Sequence, residues 1–379
     1  MVVVVAIVDS QNITSMSKTV QPGIHQDCLP TKDQDRTVVL PFEHGTIIAI
    51  FDGHLGDELA YYASKYFLQL IVEIFDPTAQ DLEERIIDTF QYFDDYLLGC
   101  VTKLFPGRSW MDSKWDNFDN VYKVIDRDPD FSSGRPTVVG TTVLLGIIDK
   151  AKQSIWVVSL GDSCAIRGRM QRGKMVPLIM NEYHNCKNEE EVAKIEREHP
   201  GEKDLVVHGG TLGGLRITRA LGDHMFKVEI PLASKILASY VPCPIPRFLF
   251  RKWAENGNIT PPYISCIPSV RKFDLMPGDI VVFASDGLAD SLAWPDSRDC
   301  WEAIMPLLIG VDDERLGHRC FKPPAGAEVN KAELLIRNVL FGDDNVKMAG
   351  VLMDRWRDDI SVVVVEVDEL EYCQAATRT

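Results

Sequence analysis

Three segments of this chain share one construction: a short run rich in Val and Ile with an aspartate at its edge. They are Thr46-Ile-Ile-Ala-Ile-Phe-Asp-Gly-His54, Asp279-Ile-Val-Val-Phe-Ala-Ser-Asp-Gly-Leu-Ala-Asp290 and Asp358-Asp-Ile-Ser-Val-Val-Val-Val-Glu-Val367. Runs of this length and composition predict buried β-strands. A carboxylate at the mouth of such a strand is unfavourable unless positive charge meets it. Repeated at several strands, the economical reading is that Asp52, Asp286 and Asp358 converge on hard divalent cations. Oxygen donors of this kind suit Mg²⁺ and Mn²⁺.

Composition narrows the setting. At 379 residues the chain can form one large domain or two smaller ones, and 45% hydrophobic residues supply an ample core. A formal net charge of −16 argues against a nucleic-acid or anionic-membrane partner, which would need a basic face. The nine cysteines contain no C-x-x-C pair, so a zinc site of that type is not expected and a reducing compartment is. The apolar start Met1–Val8 ends at Asp9 with no basic residue before it, and it reads as a first strand rather than a signal peptide. No Arg precedes Arg36, so no Arg-rich presequence is visible. The expected compartment is the cytoplasm, with nucleus and mitochondrion as alternatives. No stretch reaches the ~18 apolar residues of a membrane span.

Along the chain, Glu58–Phe75 predicts a largely buried helix, and Asp81–Phe105 a second one with acidic residues early and Lys103 late. Strands are expected at Thr141–Ile148, Ser154–Leu160 and Ile360–Val367. A charged, exposed helix is expected at Asn185–Glu198, with Glu189-Glu190-Glu191 on a solvated face, and further helices at Ser297–Ile309 and Glu328–Phe341. Residues 106–136 lose periodicity, and 231–262 carry six prolines; both read as insertions. Helices and strands mix without regular βαβ alternation, which favours an α+β sandwich in one domain, residues 1–379, with those two insertions.

The motif order sharpens this. Gln34-Asp35-Arg36, Asp52-Gly53-His54, Gly140-Thr141-Thr142, Gly161-Asp162-Ser163, Thr218-Arg-Ala-Leu-Gly-Asp223, Ser285-Asp-Gly-Leu-Ala-Asp290 and Arg357-Asp-Asp-Ile-Ser361 follow one another. This ordered set resembles the metal-dependent protein phosphatases of the protein phosphatase 2C family, over about Gln34–Val367. A finer similarity, to the pyruvate dehydrogenase phosphatase branch, rests on His184-Asn185, Asn188-Glu189, Glu198-His199-Pro200 and Thr260-Pro-Pro-Tyr263.

The resemblance implies a four-layer α-β-β-α sandwich, its two mainly antiparallel sheets flanking a metal centre of two Mn²⁺ or Mg²⁺ ions with a weaker third. By position, Asp52 matches the carboxylate bridging both metals, the Gly53 carbonyl a ligand of the first, and Asp286 and Asp358 ligands of the second. Asp162 and Asp290 match the pair holding the third. Asp35 matches the carboxylate that organises water, and His54 the general acid. The implied reaction is hydrolysis of phosphoserine and phosphothreonine in protein substrates, with no covalent phosphoenzyme, and the expected state is a monomer.

The sequence departs from the family where a phosphate-gripping Arg is common: the residue is Pro30, and Arg36 is a candidate replacement. The family's Glu in the first motif is Gln34. Thr142, Arg219 and Asp223 read as supporting residues. His25, His44, His184, His199, His208, His224 and His318 read as surface or structural. Gly209–Gly214 reads as a flap, since it lacks the Gly-Lys-[Ser/Thr] ending of a phosphate loop. Two other functions stay open: a pseudophosphatase that only binds, and a metal phosphatase acting on a small metabolite.

Overall fold

The computed structural model describes residues 18–103, 139–207, 209–211, 214–233, 260–292, 298–312 and 320–368. The expected Met1–Val8 strand, the 106–136 insertion, His208, His318 and most of 231–262 lie outside the described residues. In chain order, β1 (Lys18–Gln21), β2 (Ile24–Leu29), β3 (Arg36–Phe42), β4 (Gly45–Phe51) and the short β5 (Gly53–His54) lead into α1 (Glu58–Ile74) and α2 (Leu82–Thr102). Next come β6 (Gly140–Thr141), β7 (Val143–Asp149), β8 (Ser154–Leu160), β9 (Cys164–Gln171), β10 (Lys174–Ile179), α3 (Glu189–Glu198), β11 (Val206–Val207), β12 (Gly210–Thr211) and β13 (Leu221–Gly222). The last are β14 (Ser269–Asp274), β15 (Ile280–Ala284), α4 (Asp286–Asp290), α5 (Arg298–Leu308), α6 (Lys331–Val339), α7 (Asn345–Leu352) and β16 (Ile360–Glu366).

Two antiparallel sheets dominate, one ordered β1-β2-β16-β15-β9-β10 and the other β14-β8-β7-β4-β3. Alternation along the strands explains the layering, because successive side chains point to opposite faces. In β16, Val363 and Val365 join Val281 and Phe283 of β15, and Ile48 and Ile50 of β4, in the core between the sheets. Val362 and Val364 face the other way, into a core completed by Trp301, Ile304, Leu335 and Val339 of α5 and α6. Ile47, Ala49 and Phe51 of β4 pack on Leu59, Phe67 and Phe90 of α1 and α2. Three apolar layers thus separate four layers of structure, the α-β-β-α sandwich.

Helix ends moved for identifiable reasons. α3 begins at Glu189 because the Asn188 side chain caps it, accepting from the Glu190 N–H. α6 begins at Lys331 because Asn330 accepts from the Ala332 and Glu333 N–H groups. α7 was not foreseen; it buries no residue, so its sequence carries no apolar period. The aromatics of α1 divide: Phe67 is buried, whereas Tyr61 and Tyr66 are exposed.

Candidate active site

Antiparallel register gathers the acidic motifs at one edge. Arg36, which starts β3, pairs with Phe51, which ends β4, so Asp35 and Asp52 flank that pair. Cys164, which starts β9, pairs with Ala284, which ends β15, so Asp162 and Asp286 lie just beyond it. Ala284 also pairs with Val362 near the start of β16, which brings Asp358 to the same edge. Asp290 ends α4, one turn beyond Asp286.

These carboxylates share one field. Burial pushes Asp35 up to about 7; Asp359 and Asp358 repel it further, while hydrogen bonds from Ser361 and Ser285 oppose the rise. Burial raises Asp52 well above the usual carboxylate range, reinforced by Asp35, Asp286, Asp162 and Asp358. Asp286 is raised in the same way, by burial and then by Asp162, Asp290, Asp358 and Asp35. Burial also raises Asp162, although Asn185 and Arg216 counter it. Desolvated like charges drive such shifts. Among the described residues, no three His, Cys, Asp or Glu side chains are already drawn into a coordination sphere. The arrangement is a shared negative field rather than a closed cage.

Two further observations fit a cation. Asp35 Oδ2 is buried with no hydrogen-bond partner. A Cβ added at Gly53 would lie 2.5 Å from the Gln34 carbonyl oxygen and 3.1 Å from that of Gly56, so only glycine fits beside Asp52. An orphaned buried oxygen, a crowded carbonyl and a set of all-oxygen donors match what a hard divalent ion takes.

His54 sits at the rim of this field. The small sheet β13-β6-β5 sets Gly53–His54 against Gly140–Thr141, and Gly140–Thr141 against Leu221–Gly222. Asp223 follows directly, and His54 Nε2 donates to Asp223 Oδ2 at 2.7 Å. A Cβ at Gly140 would lie 2.2 Å from both atoms of that bond, so the glycine admits the pair. Burial alone would lower the His54 pKa, but the charge and hydrogen bond of Asp223 raise it overall, with help from Asp162 and Asp358.

Two buried clamps hold the loops. Asp359 accepts backbone N–H groups from Thr31, Lys32, Asp33, Gln34 and Asp35. Burial works against its charge, yet these bonds hold it below the usual range. His184 accepts from the Gly161 N–H through Nδ1 at 3.2 Å and donates through Nε2 to Ser269 Oγ at 2.8 Å. Burial pushes it down to about 3, so it is a neutral strut under the Gly161–Ser163 turn. A cavity of about 510 Å³ opens beside the acidic edge, lined by Asp162, Asp286, Asp290, Arg216, Tyr183 and Trp301 among others.

The sequence model of the family described as protein phosphatase 2C matches residues 111–297. A probable protein phosphatase 2C 29 of Oryza sativa subsp. japonica is 23% identical over 89% of this chain and 76% of its own length. The mitochondrial [pyruvate dehydrogenase [acetyl-transferring]]-phosphatase 1 of Bos taurus is 24% identical over 89% of this chain and 75% of its own. These matches support a protein phosphatase 2C family phosphatase. The fold agrees: a serine-threonine phosphatase 2C from Toxoplasma gondii superposes with a TM-score of 0.52, covering 92% of this chain and 96% of that one at 13% identity. A C. elegans sex-determining protein gives a TM-score of 0.53, with 92% of this chain and 66% of that chain covered at 18% identity.

Two expectations need correction and one is sharpened. Asp223, read as a supporting residue, is the direct partner of His54, a link that a separation of 169 residues hides in the sequence. Glu191 is not solvated: it is buried and takes both Arg219 Nε, at 2.9 Å, and Nη2, with Thr218 Oγ1 at 2.7 Å. Its spacing of four from buried Ile195 was the available signal. Arg36 is not a free phosphate grip, because its guanidinium is committed to Asp57 Oδ2 at 2.7 Å and to the Asp33 and Asp35 carbonyls. The clamp Asp359 went unnoticed beside Asp358, although consecutive residues of an extended chain face opposite ways. The segment 184–200 that resembles the pyruvate dehydrogenase phosphatase branch is structural here: Asn185 Nδ2 reaches Asp162 Oδ2 at 3.4 Å, and Asn188 caps α3. No helix among the described residues is long and apolar enough to cross a membrane.

Proposed function

We propose that the chain, read as one phosphatase unit over 1–379, hydrolyses phosphoserine and phosphothreonine in protein substrates with Mn²⁺ or Mg²⁺ as cofactor. The observation that carries this reading is the desolvated, mutually repelling set Asp35, Asp52, Asp162 and Asp286 at one edge, with Asp358 next to them and a protonatable His54 beside. A protein retains such charges only when something positive completes them.

Asp52, the Gly53 carbonyl, Asp286 and Asp358 would hold two cations, and Asp162 with Asp290 a weaker third. The ions, when bound, supply Lewis acidity and offset the charge of the phosphate. The residues do the rest. Asp35 orients the attacking water and takes up its proton. The water attacks phosphorus in line, opposite the seryl or threonyl oxygen. His54, with Nε2 committed to Asp223, offers the proton on Nδ1 to that leaving oxygen. No phosphoenzyme forms in this scheme.

The test is turnover of a phosphothreonine peptide by the full chain with Mn²⁺, with chelator, and in Asp286→Asn. Metal-dependent turnover that disappears in the variant is the expected outcome. A folded protein without turnover under any divalent cation would replace this reading with a binding role.

A further inference from the structure

Phosphomonoesters are anions, and this centre is built from carboxylates on a chain of net charge −16. Besides the cations, a positively charged side chain within reach of this edge would grip the phosphate directly. Arg36 is committed elsewhere, as shown above. Arg216 leans on Asp290 at 4.0 Å from the outer rim, 64% exposed.

Lys32 is placed differently. Its ammonium lies 3.0 Å from Asp358 Oδ1, while its side chain remains 41% exposed. Among the described residues Asp358 is the one partner of that ammonium. The backbone is fixed, because the Lys32 N–H donates to Asp359 Oδ1 at 2.7 Å. The four-carbon stem is therefore anchored at its root, and among the described residues its tip is held by Asp358 alone. Asp35, whose Oδ2 is buried and unpartnered, stands on the same Asp359-held loop. One loop thus presents a cation and the carboxylate that orients the water, as attack on a held phosphate requires.

Resting on the phosphatase reading, we propose that Lys32 is the phosphate anchor of this protein. Its ammonium neutralises Asp358 in the absence of divalent cations. When cations take that carboxylate, it turns to a non-bridging oxygen of the phosphomonoester. A point charge on a flexible stem suits this exchange better than a fork fixed by several bonds.

The experiment uses the full chain with Lys32→Met and Lys32→Arg. Three quantities are read: kinetics on a phosphothreonine peptide, inhibition by inorganic phosphate, and calorimetric titration with Mn²⁺ alone. Circular dichroism confirms folding. Lys32→Met is expected to raise KM and the phosphate inhibition constant about tenfold, the weight of one charge-assisted hydrogen bond, with kcat nearly unchanged. Lys32→Arg should recover most of this. Mn²⁺ should bind Lys32→Met more tightly than wild type, because a competitor for Asp358 is gone. Wild-type turnover with an unchanged KM and inhibition constant in Lys32→Met would overturn the anchor and leave the phosphatase reading standing. A raised KM with weaker Mn²⁺ binding would also overturn it, since Lys32 would then act through the cation site. A wild type that binds Mn²⁺ but turns over nothing would remove the phosphatase reading itself, and the anchor with it.

Discussion

Two sets of buried carboxylates in this molecule behave in opposite ways. Around Asp94, Glu191 and Asp279, every charge is answered from within. Lys227 Nζ and the Gly222 N–H each reach Asp94 at 2.8 Å, and Arg169 grips Asp279 with two bonds of 2.7 Å. Burial opposes the charge of Asp94 and of Glu191, yet Lys227 and His224, or Arg219 and Thr218, hold both below the usual range. At the acidic edge the same residue type is buried among its own kind, and Asp35, Asp52, Asp162 and Asp286 are all raised. The first set is complete without any ligand and serves the fold. The second carries a deficit of positive charge, which the fold tolerates and the chemistry requires.

The strongest way to break this comparison is to remove one charge from each set. Asp286→Asn should lower metal-dependent turnover by more than about a hundredfold, since even groups that merely support metal ligands are worth 10–100-fold. In chelator the same change should raise the melting temperature by about 2 °C, because an uncompensated charge is gone. A variant less stable than wild type in chelator would mean that the edge is compensated after all. Glu191→Gln should do the reverse. It leaves the Arg219 guanidinium buried without its counter-charge, at a cost of about 3 kcal/mol in urea unfolding. Unchanged stability there would dissolve the distinction from the other side.

The two sets were not equally legible in the sequence. β4, β15 and β16 announced themselves, because strands buried on both faces are nearly continuous runs of Val, Ile and Phe. β9 and β10 did not, since Arg167, Arg169 and Lys174 interrupt their apolar pattern. The candidate ligands were readable because each sits in a short motif in linear order. The His54–Asp223 pair was not, because it is made by three two-residue strands that have no periodicity to detect. Glu191 was masked by Glu189 and Glu190, and Lys32 by lying outside every motif. Long-range pairing creates these relations, and local composition does not record it.

His54 joins the two sets, and its pH response sharpens the boundary. Asp223 keeps its imidazolium favoured against burial, so turnover that needs a protonated His54 should fall as pH rises through that elevated pKa. Asp223→Asn removes the charge that holds the proton. It should move this basic limb of the pH–kcat profile down by about one unit. Asparagine is the suitable replacement because residue 223 has φ +50°, a conformation asparagine tolerates better than most side chains. A limb that stays in place would assign the proton to another group.

A last effect separates the sets by sign. Asp35 has its pKa raised to about 7, above the unfolded value of about 3.9. Its protonated form is the one the fold prefers. That contribution is complete below about pH 4 and is lost as pH rises through about 7, at no more than about 1.4 kcal/mol per pH unit. Asp94 and Asp359, with lowered values, contribute in the opposite sense: their stability is present above the unfolded pKa and lost as pH falls. Urea unfolding in chelator should therefore show wild-type stability declining from about pH 4 to about 7 relative to Asp35→Asn, whose curve is flatter in that window. Asp359→Asn should instead lose its difference from wild type on the acid side. If Asp35→Asn follows the wild-type slope throughout, the Asp35 charge is already balanced, and the carboxylates at this edge are no different in kind from those that only hold the fold together.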